Sequence, residues 1–278
     1  MGTKTVKGNL RKMVTGLGPP VQYQLRLGER QVDMNALVGR SIRLSYCGEI
    51  NCIHCGRASK KSFGQGYCYP CFRDLPECDG CIVKPETCHF EAGTCRDAEW
   101  GRANCFQDHY VYLANSSGVK VGITRGSQIP TRWMDQGATQ ALPVFRVANR
   151  LQSGLVEVVL KRHVSDRTDW RKMLKGLAHP AELPQVRDEL VAQCSAGLDD
   201  IRSRFGAEAI TFLADESVVD IRYPVDEYPQ KVTSLNFDKT PVVAGRLNGI
   251  KGQYLILDSG VINIRKFGGY LVEFSVDS

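Results

Sequence analysis

The sequence lacks long apolar runs. In 278 residues no stretch approaches the roughly eighteen consecutive apolar residues that a membrane-spanning helix requires. The N-terminal segment MGTKTVKGNLRKM carries charges but no apolar core, so we expect no secretory signal and a soluble cytoplasmic protein. With 42% hydrophobic and 24% charged residues, the composition excludes a disordered tail protein and a fibrous repeat, and the length allows one large domain or a few smaller ones.

Outside residues 47–105 the chain contains a single cysteine. Ten of the 11 cysteines lie between Cys47 and Cys105, and Cys194 stands alone on an apolar stripe with helical spacing, where we predict a small core residue. Disulfide scaffolds are rarely segregated in this way, and a reducing compartment disfavours them. We therefore interpret the cysteine-rich region as a metal-binding one.

The first part of that region has the spacing of a zinc ribbon. A CxxC pair, twelve residues and a second CxxC pair can bring four thiolates together tetrahedrally around one structural zinc ion. These ligands are Cys52, Cys55, Cys68 and Cys71. Basic residues alternate with aromatic ones between the two pairs, a pattern that suits phosphate contacts and base stacking, and the predicted nucleic-acid-binding residues are Arg57, Lys60 and Lys61.

A second thiol cluster follows at once. It contains Cys78, Cys81, Cys88, Cys95 and Cys105, one thiol more than a tetrahedral site needs. Cys78 and Cys81 form another CxxC pair and are expected to share an ion, but the spacing does not decide which thiols complete the set. We expect a second zinc, with an iron–sulfur cluster as the alternative.

Charge is unevenly distributed. The net charge of +6 divides into +6 for residues 1–46, −2 for 47–110, +7 for 111–180, −7 for 181–230 and +2 for the remainder. Local basic surfaces of this kind attract polyanions, so we expect nucleic acid, either RNA or DNA, as the partner, and no membrane.

Both ends of the chain are predicted to be β-structure. At an offset of 230 residues Leu25 matches Leu255 and Leu44 matches Phe274 without a gap, which indicates a small β-module present twice. Such modules could pair into one barrel-like sheet, and Lys251 and Tyr254 would suit a nucleic-acid-binding surface on it.

Residues 109–164 predict a hairpin, a helix, a strand and a second helix. This order, with the side chains that it carries, resembles the GIY-YIG nuclease superfamily. Val111 and Tyr112 stand at the end of the first motif, and Val121 and Gly122 fall at the second. The whole chain also looks like an uncharacterised bacterial family that couples a cysteine-rich half to this segment.

The resemblance implies a catalytic set. Tyr112 would assist deprotonation of the nucleophile, Arg132 would contact the phosphate, and Glu157 would bind Mg²⁺ or Mn²⁺. Tyr110 replaces the leading glycine of the first motif and Val121 the leading tyrosine of the second. Tyr110 is the expected substitute for that tyrosine, because neighbouring Lys120 should lie on the opposite face of the strand from Val121.

The predicted architecture is a multidomain α+β protein. Its segments are an N-terminal β-module (1–46), a zinc-ribbon region (47–107), a GIY-YIG-like α/β domain (108–178), a helical acidic segment (179–230) and a C-terminal β-module (231–278). Lys120 and Arg125 join the predicted nucleic-acid-binding residues. The expected function is metal-dependent nucleic-acid binding with phosphodiester cleavage; the alternatives are a non-catalytic binding protein and an iron–sulfur or redox protein that uses the second thiol cluster.

Overall fold

A computed structural model describes residues 5–276 of the chain. The fold is mixed α/β, with two antiparallel sheets and eight α-helices within the described residues. It divides into two compact units: unit 1 comprises Met1–Arg73, Leu174–Leu177 and Ile221–Ser278, and unit 2 comprises Asp74–Met173 and Ala178–Asp220.

The elements follow one another in a mixed order. The strands are β1 (Val6–Gly16), β2 (Gln22–Leu27), β3 (Arg30–Asp33), β4 (Ser41–Ile50), β5 (His109–Asn115), β6 (Val119–Arg125), β7 (Gln140–Val147), β8 (Ile210–Phe212), β9 (Val219–Asp220), β10 (Val242–Lys251), β11 (Tyr254–Leu257), β12 (Gly260–Asn263) and β13 (Tyr270–Val276). The helices are α1 (Tyr69–Asp74), α2 (Gly80–Val83), α3 (Ala98–Cys105), α4 (Thr131–Asp135), α5 (Arg150–Leu160), α6 (Trp170–Leu174), α7 (Leu183–Gln193) and α8 (Ser195–Phe205).

The strands of unit 1 form one eight-stranded sheet in the order β12-β11-β10-β4-β13-β1-β2-β3. Strands β1–β4 come from the N-terminal end of the chain and strands β10–β13 from the C-terminal end. In the hairpin β2–β3 Leu25 pairs with Val32, and in β11–β12 Leu255 pairs with Ile262, which is the same register displaced by 230 residues. The two ends of the chain therefore repeat not only apolar residues but also strand pairing.

Strands of the two modules also pair with each other. β1 pairs with β13 and β10 pairs with β4, so each module's first strand lies beside the other module's last strand. At the centre, β4 and β13 pair antiparallel with Leu44 opposite Phe274, the two residues related by the offset. The strand pairing thus has a pseudo-twofold relation through this pair, and the matching apolar residues Leu25, Leu44, Leu255 and Phe274 are all buried.

Gly8 lies where β1 passes close to the end of β2. A Cβ atom at this position would collide with the backbone carbonyl of Leu27. Gly16 lies on the same strand, and a Cβ there would meet only the Gln22 side chain at 3.8 Å. We expect Gly8→Ala to destabilise the protein by about 1–3 kcal/mol through backbone displacement, and Gly16→Ala to cost less than about 1 kcal/mol. Urea denaturation midpoints measure both; equal midpoints for the two variants would contradict this packing.

The strands of unit 2 form the second sheet. Its order is β6-β5-β7-β8, with β9 also paired to β7. The hairpin β5–β6 is followed by α4, β7 and α5, which is the element order predicted from the sequence. Apolar side chains of β5 and β7 pack with α5, α7 and α8 in one core, and Cys194 is buried there as predicted.

Two features of residues 179–230 were missed by the sequence analysis. The predicted single helical stretch breaks at Cys194 into α7 and α8. Beyond Gly206 the chain forms β8 and β9, which extend the sheet of unit 2 rather than a helical element. Among the helices of residues 5–276, none combines the length and apolar character that crossing a bilayer would demand.

Lys251 does not belong to an exposed surface of the sheet. It is 1% exposed, and its ammonium group lies 5.5 Å from the ring centroid of Tyr223 and 5.2 Å from that of Tyr228. Burial lowers the pKa of Lys251 to about 8. The prediction that this residue meets nucleic acid is therefore wrong, because its charge is enclosed by aromatic rings. Tyr254, opposite Lys251 in the hairpin β10–β11, is half-buried.

Candidate functional site

The four thiols of the predicted zinc ribbon meet at one point in unit 1. Cys52 follows β4, and Cys71 lies on α1. The sulfur atoms of Cys52, Cys55, Cys68 and Cys71 all lie within 4.8 Å of one another, and Cys55 Sγ and Cys68 Sγ are 3.8 Å apart. This separation fits four thiolates at about 2.3 Å from one ion, so the set forms a metal-binding site consistent with zinc.

The hairpin that connects the two CxxC pairs contains a glycine, Gly66, that packs directly against the first pair. Ile53 N–H donates a hydrogen bond to the Gly66 carbonyl at 2.8 Å. Gly66 has φ +148°, and a Cβ there would collide with the Ile53 side chain. The turn thus needs a residue without a side chain at this position to place Cys68 beside Cys52.

The surroundings of Cys52 lower the pKa of its thiol and so favour the thiolate, the form that binds metal ions. Burial raises the pKa of this thiol, but backbone hydrogen bonds from Cys55, Cys68 and His54 outweigh burial and lower it to about 6. A thiolate is therefore present at neutral pH to begin metal capture. Burial and the neighbouring thiols shift the pKa of Cys71 in the opposite direction, upward.

The basic residues between the two pairs are accessible. Arg57, Lys60 and Lys61 are exposed. Phe63 packs against Phe72, with ring centroids 6.0 Å apart, and so contributes to the ribbon's own packing. Tyr69 is 55% exposed, and its ring makes an edge contact with the Phe63 ring, with the centroids 5.5 Å apart.

The second thiol cluster lies in unit 2. Four of its cysteines line one small cavity: Cys81, Cys88, Cys95 and Cys105. Cys78 is not among the residues that line this cavity. Burial, Asp79 and the neighbouring thiols raise the pKa of Cys81 to about 11, and burial also raises the pKa of Cys88.

A separate polar constellation of unit 2 surrounds Tyr112. The Tyr112 hydroxyl donates to Gln136 Oε1 at 3.1 Å, and Lys120 Nζ donates to the same oxygen at 2.7 Å. Tyr112 pairs with Gly122 across the hairpin, and a Cβ at Gly122 would lie 2.7 Å from the phenol oxygen. A glycine here is thus what makes room for the phenol.

Arg132 and Glu157 complete this constellation. Burial raises the pKa of Tyr112, while the charge of Arg132 and its hydrogen bond to the phenol lower it. Burial and then Arg132 lower the pKa of Lys120 to about 8, whereas Glu157 raises it. Each of the four side chains therefore lies within the electrostatic reach of the others. We call Tyr112, Lys120, Arg132 and Glu157, with Gln136, the tyrosine site.

A second carboxylate lies beside the tyrosine site. Val121 N–H donates to the Ser165 carbonyl at 2.8 Å, which holds Asp166 next to β6, and Asp166 raises the pKa of both Glu157 and Lys120. Asp169 has a different role and caps α6: its carboxylate accepts a hydrogen bond from Arg171 N–H at 3.0 Å.

In the structure Lys120, and not Tyr110, shares a hydrogen-bond acceptor with Tyr112. Lys120 does lie on the opposite face from Val121, but that is the face of Tyr112, and it shares Gln136 with the phenol. The ring of Tyr110 lies against Gly126 instead. The prediction that Tyr110 rather than Lys120 accompanies Tyr112 is therefore wrong, because it did not include the cross-strand register. Arg125 is directed to Asn104, with a hydrogen bond of 2.9 Å.

The electrostatics of Glu157 predict a dependence of stability on pH. Burial, with Asp166 second, raises the pKa of Glu157 from 4.5 to about 7. Between these pH values the folded chain holds a proton that the unfolded chain releases, so the free energy of unfolding falls as the pH rises through this window. We expect Glu157→Gln to exceed wild type by on the order of 2 kcal/mol at pH 8 and to match it near pH 4.5. Urea unfolding without added Mg²⁺ or Mn²⁺ measures this difference; one that is the same at both pH values would contradict the assignment.

Comparisons with known proteins extend over most of the chain. A family model matches residues 39–272, which include both metal-ligand regions and the tyrosine site. No curated protein and no solved structure matches the chain.

Proposed function

The chain belongs to the family described as protein of unknown function (DUF2797), and from the geometry of its tyrosine site we propose that it binds nucleic acid and cleaves phosphodiester bonds with a divalent metal ion. The observation that carries this proposal is the shared acceptor: the Tyr112 phenol and the Lys120 ammonium both donate to Gln136 Oε1. Burial dominates and raises the pKa of the phenol, and the charge of Arg132 opposes that rise, so Tyr112 would take a proton from an attacking water once further positive charge is bound beside it.

In the proposed likeness to GIY-YIG nucleases, the second motif can be placed one residue earlier than in the sequence analysis. With Gly122 as the last residue of that motif, its leading position is Lys120, which the sequence analysis assigned to Val121. Lys120 would then stand in place of the motif's tyrosine and, as a cation, stabilise the phenolate form of Tyr112.

Arg132 supplies the charge that phosphoryl chemistry needs. As oxygen attacks phosphorus, negative charge accumulates on the non-bridging oxygens, and a fixed guanidinium can stabilise it through paired hydrogen bonds. Arg132 is half-buried and lies beside the phenol, so the attacking water and the scissile phosphate would meet between these two groups.

Glu157 fits the metal ion of this chemistry. Burial and the neighbouring Asp166 and Glu86 carboxylates oppose its ionisation, and a divalent cation would relieve that opposition. Mg²⁺ or Mn²⁺ held by Glu157 would neutralise charge on the phosphate when bound. The chain's own part is to keep this carboxylate on α5, where the charge of Arg132 already lowers its pKa.

A non-catalytic nucleic-acid-binding protein is the second candidate. The observation that favours it is the exposure of Arg57, Lys60 and Lys61, with the largely exposed Tyr69 in the same zinc ribbon, because such side chains can bind phosphates and stack on a base without any chemistry. In addition, Lys120 at the leading position of the second motif lacks the hydroxyl that a tyrosine provides there in the nucleases.

Paired tyrosine variants test the proposal. Labelled single-stranded and duplex RNA and DNA are incubated with Mg²⁺ or Mn²⁺ and wild type, Tyr112→Phe or Tyr110→Phe. We expect wild-type cleavage, a decrease of about 10²-fold in Tyr112→Phe because a proton acceptor is lost, and little change in Tyr110→Phe. Loss in Tyr110→Phe alone would contradict the assignment. Salt-sensitive binding without cleavage by wild type would favour the second candidate.

A further inference from the structure

The second thiol cluster surrounds a cavity that the tyrosine site does not use. Its remaining walls are largely apolar and aromatic, and they include Ile82, Phe90 and Trp100. Gly101 closes one side: a Cβ there would lie 3.1 Å from the Phe90 ring and 3.3 Å from Cys95 Sγ. The four lining thiols come from α2, the loop after it and α3, so this part of the chain is folded around the cavity.

The spacing of these thiols differs from that of the zinc ribbon. All four ribbon sulfurs lie within 4.8 Å of one another, as a single tetrahedral ion requires. Among the residues that the structure describes, no three of the sulfurs of Cys81, Cys88, Cys95 and Cys105 meet the same limit. Four thiols that line one cavity without meeting the single-ion limit suit a cluster, in which the thiols bind different metal atoms.

A mononuclear site on neighbouring residues is a poorer explanation. Asp79, Cys81 and His89 do place ligand atoms within 4.8 Å of one another. However, Arg96 Nε lies 3.1 Å from the Asp79 carboxylate. A guanidinium that already neutralises the carboxylate would repel a cation placed beside it.

The surrounding charges suit an anionic cluster instead. Four cysteine thiolates leave an iron–sulfur cluster with net negative charge, which an apolar cavity must have compensated. The positive charge of Arg150 acts on Cys88, and Arg125 interacts electrostatically with Cys105. Cations that interact with two of the four thiols supply this compensation.

A neighbouring cavity of about 270 Å³ shares Cys88 and Cys105 with the thiol-lined one and is further lined by Phe106, Asn149 and Arg150.

We propose that Cys81, Cys88, Cys95 and Cys105 bind an iron–sulfur cluster, and that Cys78 is not a ligand. The chain would then hold two different metal groups: zinc in the ribbon of unit 1 and the cluster in unit 2. This inference does not depend on nuclease activity, because it rests on a different set of side chains.

Metal analysis of the whole chain tests it. Protein purified anaerobically, or reconstituted with ferrous iron and sulfide, is examined for iron, acid-labile sulfide, zinc and absorbance near 400 nm. We expect iron and sulfide in equal amounts, about two or four of each per chain, together with one zinc. Two zinc ions per chain, with no iron retained even after anaerobic reconstitution, would overturn the proposal.

Serine variants test the ligand set. Cys95→Ser is expected to lose most of the iron and the absorbance, whereas the matched control Cys78→Ser keeps both. Equal loss in the two variants, or retention in both, would show that the assigned ligands are wrong. If Cys95→Ser does not fold, Cys88→Ser and the wild-type iron-to-sulfide ratio supply the same decision.

Discussion

Replacing Cys68 by serine is expected to release the ribbon zinc and to destabilise unit 1. Cys68 is buried, its sulfur is 3.8 Å from that of Cys55, and its backbone supports the thiolate of Cys52. Structural zinc sites contribute roughly 10–16 kcal/mol of apparent binding free energy in isolated fingers, and serine is a poor substitute for a thiolate. We therefore expect a loss of at least several kcal/mol, the largest effect of any single substitution in the ribbon.

Zinc content and thermal unfolding measure this effect together. The matched control is Cys47→Ser, because Cys47 is exposed and stands outside the four-thiol set. It should retain the zinc and the wild-type unfolding temperature. If Cys68→Ser also kept its zinc, or if Cys47→Ser lost it, the ligand set proposed for the ribbon would be wrong.

Replacing Glu157 by glutamine is expected to reduce divalent-metal-dependent cleavage by about 10²–10³-fold. Glutamine has nearly the same shape but no charge, so α5 and its packing remain while the cation loses its proposed ligand. The same substitution removes a carboxylate whose pKa is raised to about 7, and it should therefore stabilise the protein at pH 8. A variant that is more stable and less active identifies a residue kept for function at the expense of stability.

The control for this experiment is Glu189→Gln. Glu189 lies on α7, exposed, and accepts a hydrogen bond from Gln185 at 2.9 Å, so its replacement should leave cleavage unchanged. Zinc content should equal that of wild type in both variants. Undiminished cleavage by Glu157→Gln would remove the assignment of the metal ligand.

Local patterns predicted a large part of the fold. The spacing of the two ribbon CxxC pairs depends only on short loops, so four thiols could be assigned to one ion from the sequence. The terminal β-modules were visible because both copies repeat the same apolar residues, and their strand registers agree at the offset of 230 residues, as Leu25 and Leu255 show. The order of hairpin, helix, strand and helix in unit 2 was visible from apolar periodicity.

Long-range packing explains what was missed. Lys120 joins Tyr112 only through the cross-strand register and through Gln136, a residue with no motif of its own. From the sequence Lys251 was predicted to lie on the surface, but in the fold its ammonium group packs against the rings of Tyr223 and Tyr228. In the second thiol cluster, the sequence pointed to the CxxC pair Cys78 and Cys81, whereas folding of α2 and α3 brings Cys81 to one cavity with Cys88, Cys95 and Cys105.

The central claim is that the tyrosine site acts on a phosphodiester through Arg132, and chemical rescue tests it most directly. Single-turnover cleavage of a labelled oligonucleotide with Mn²⁺ is measured for wild type and Arg132→Ala, with and without guanidinium ion in the buffer. The account predicts cleavage about 10²-fold slower in the variant, and recovery of at least about tenfold when the free cation fills the space of the lost side chain. Cleavage by Arg132→Ala at the wild-type rate would contradict it.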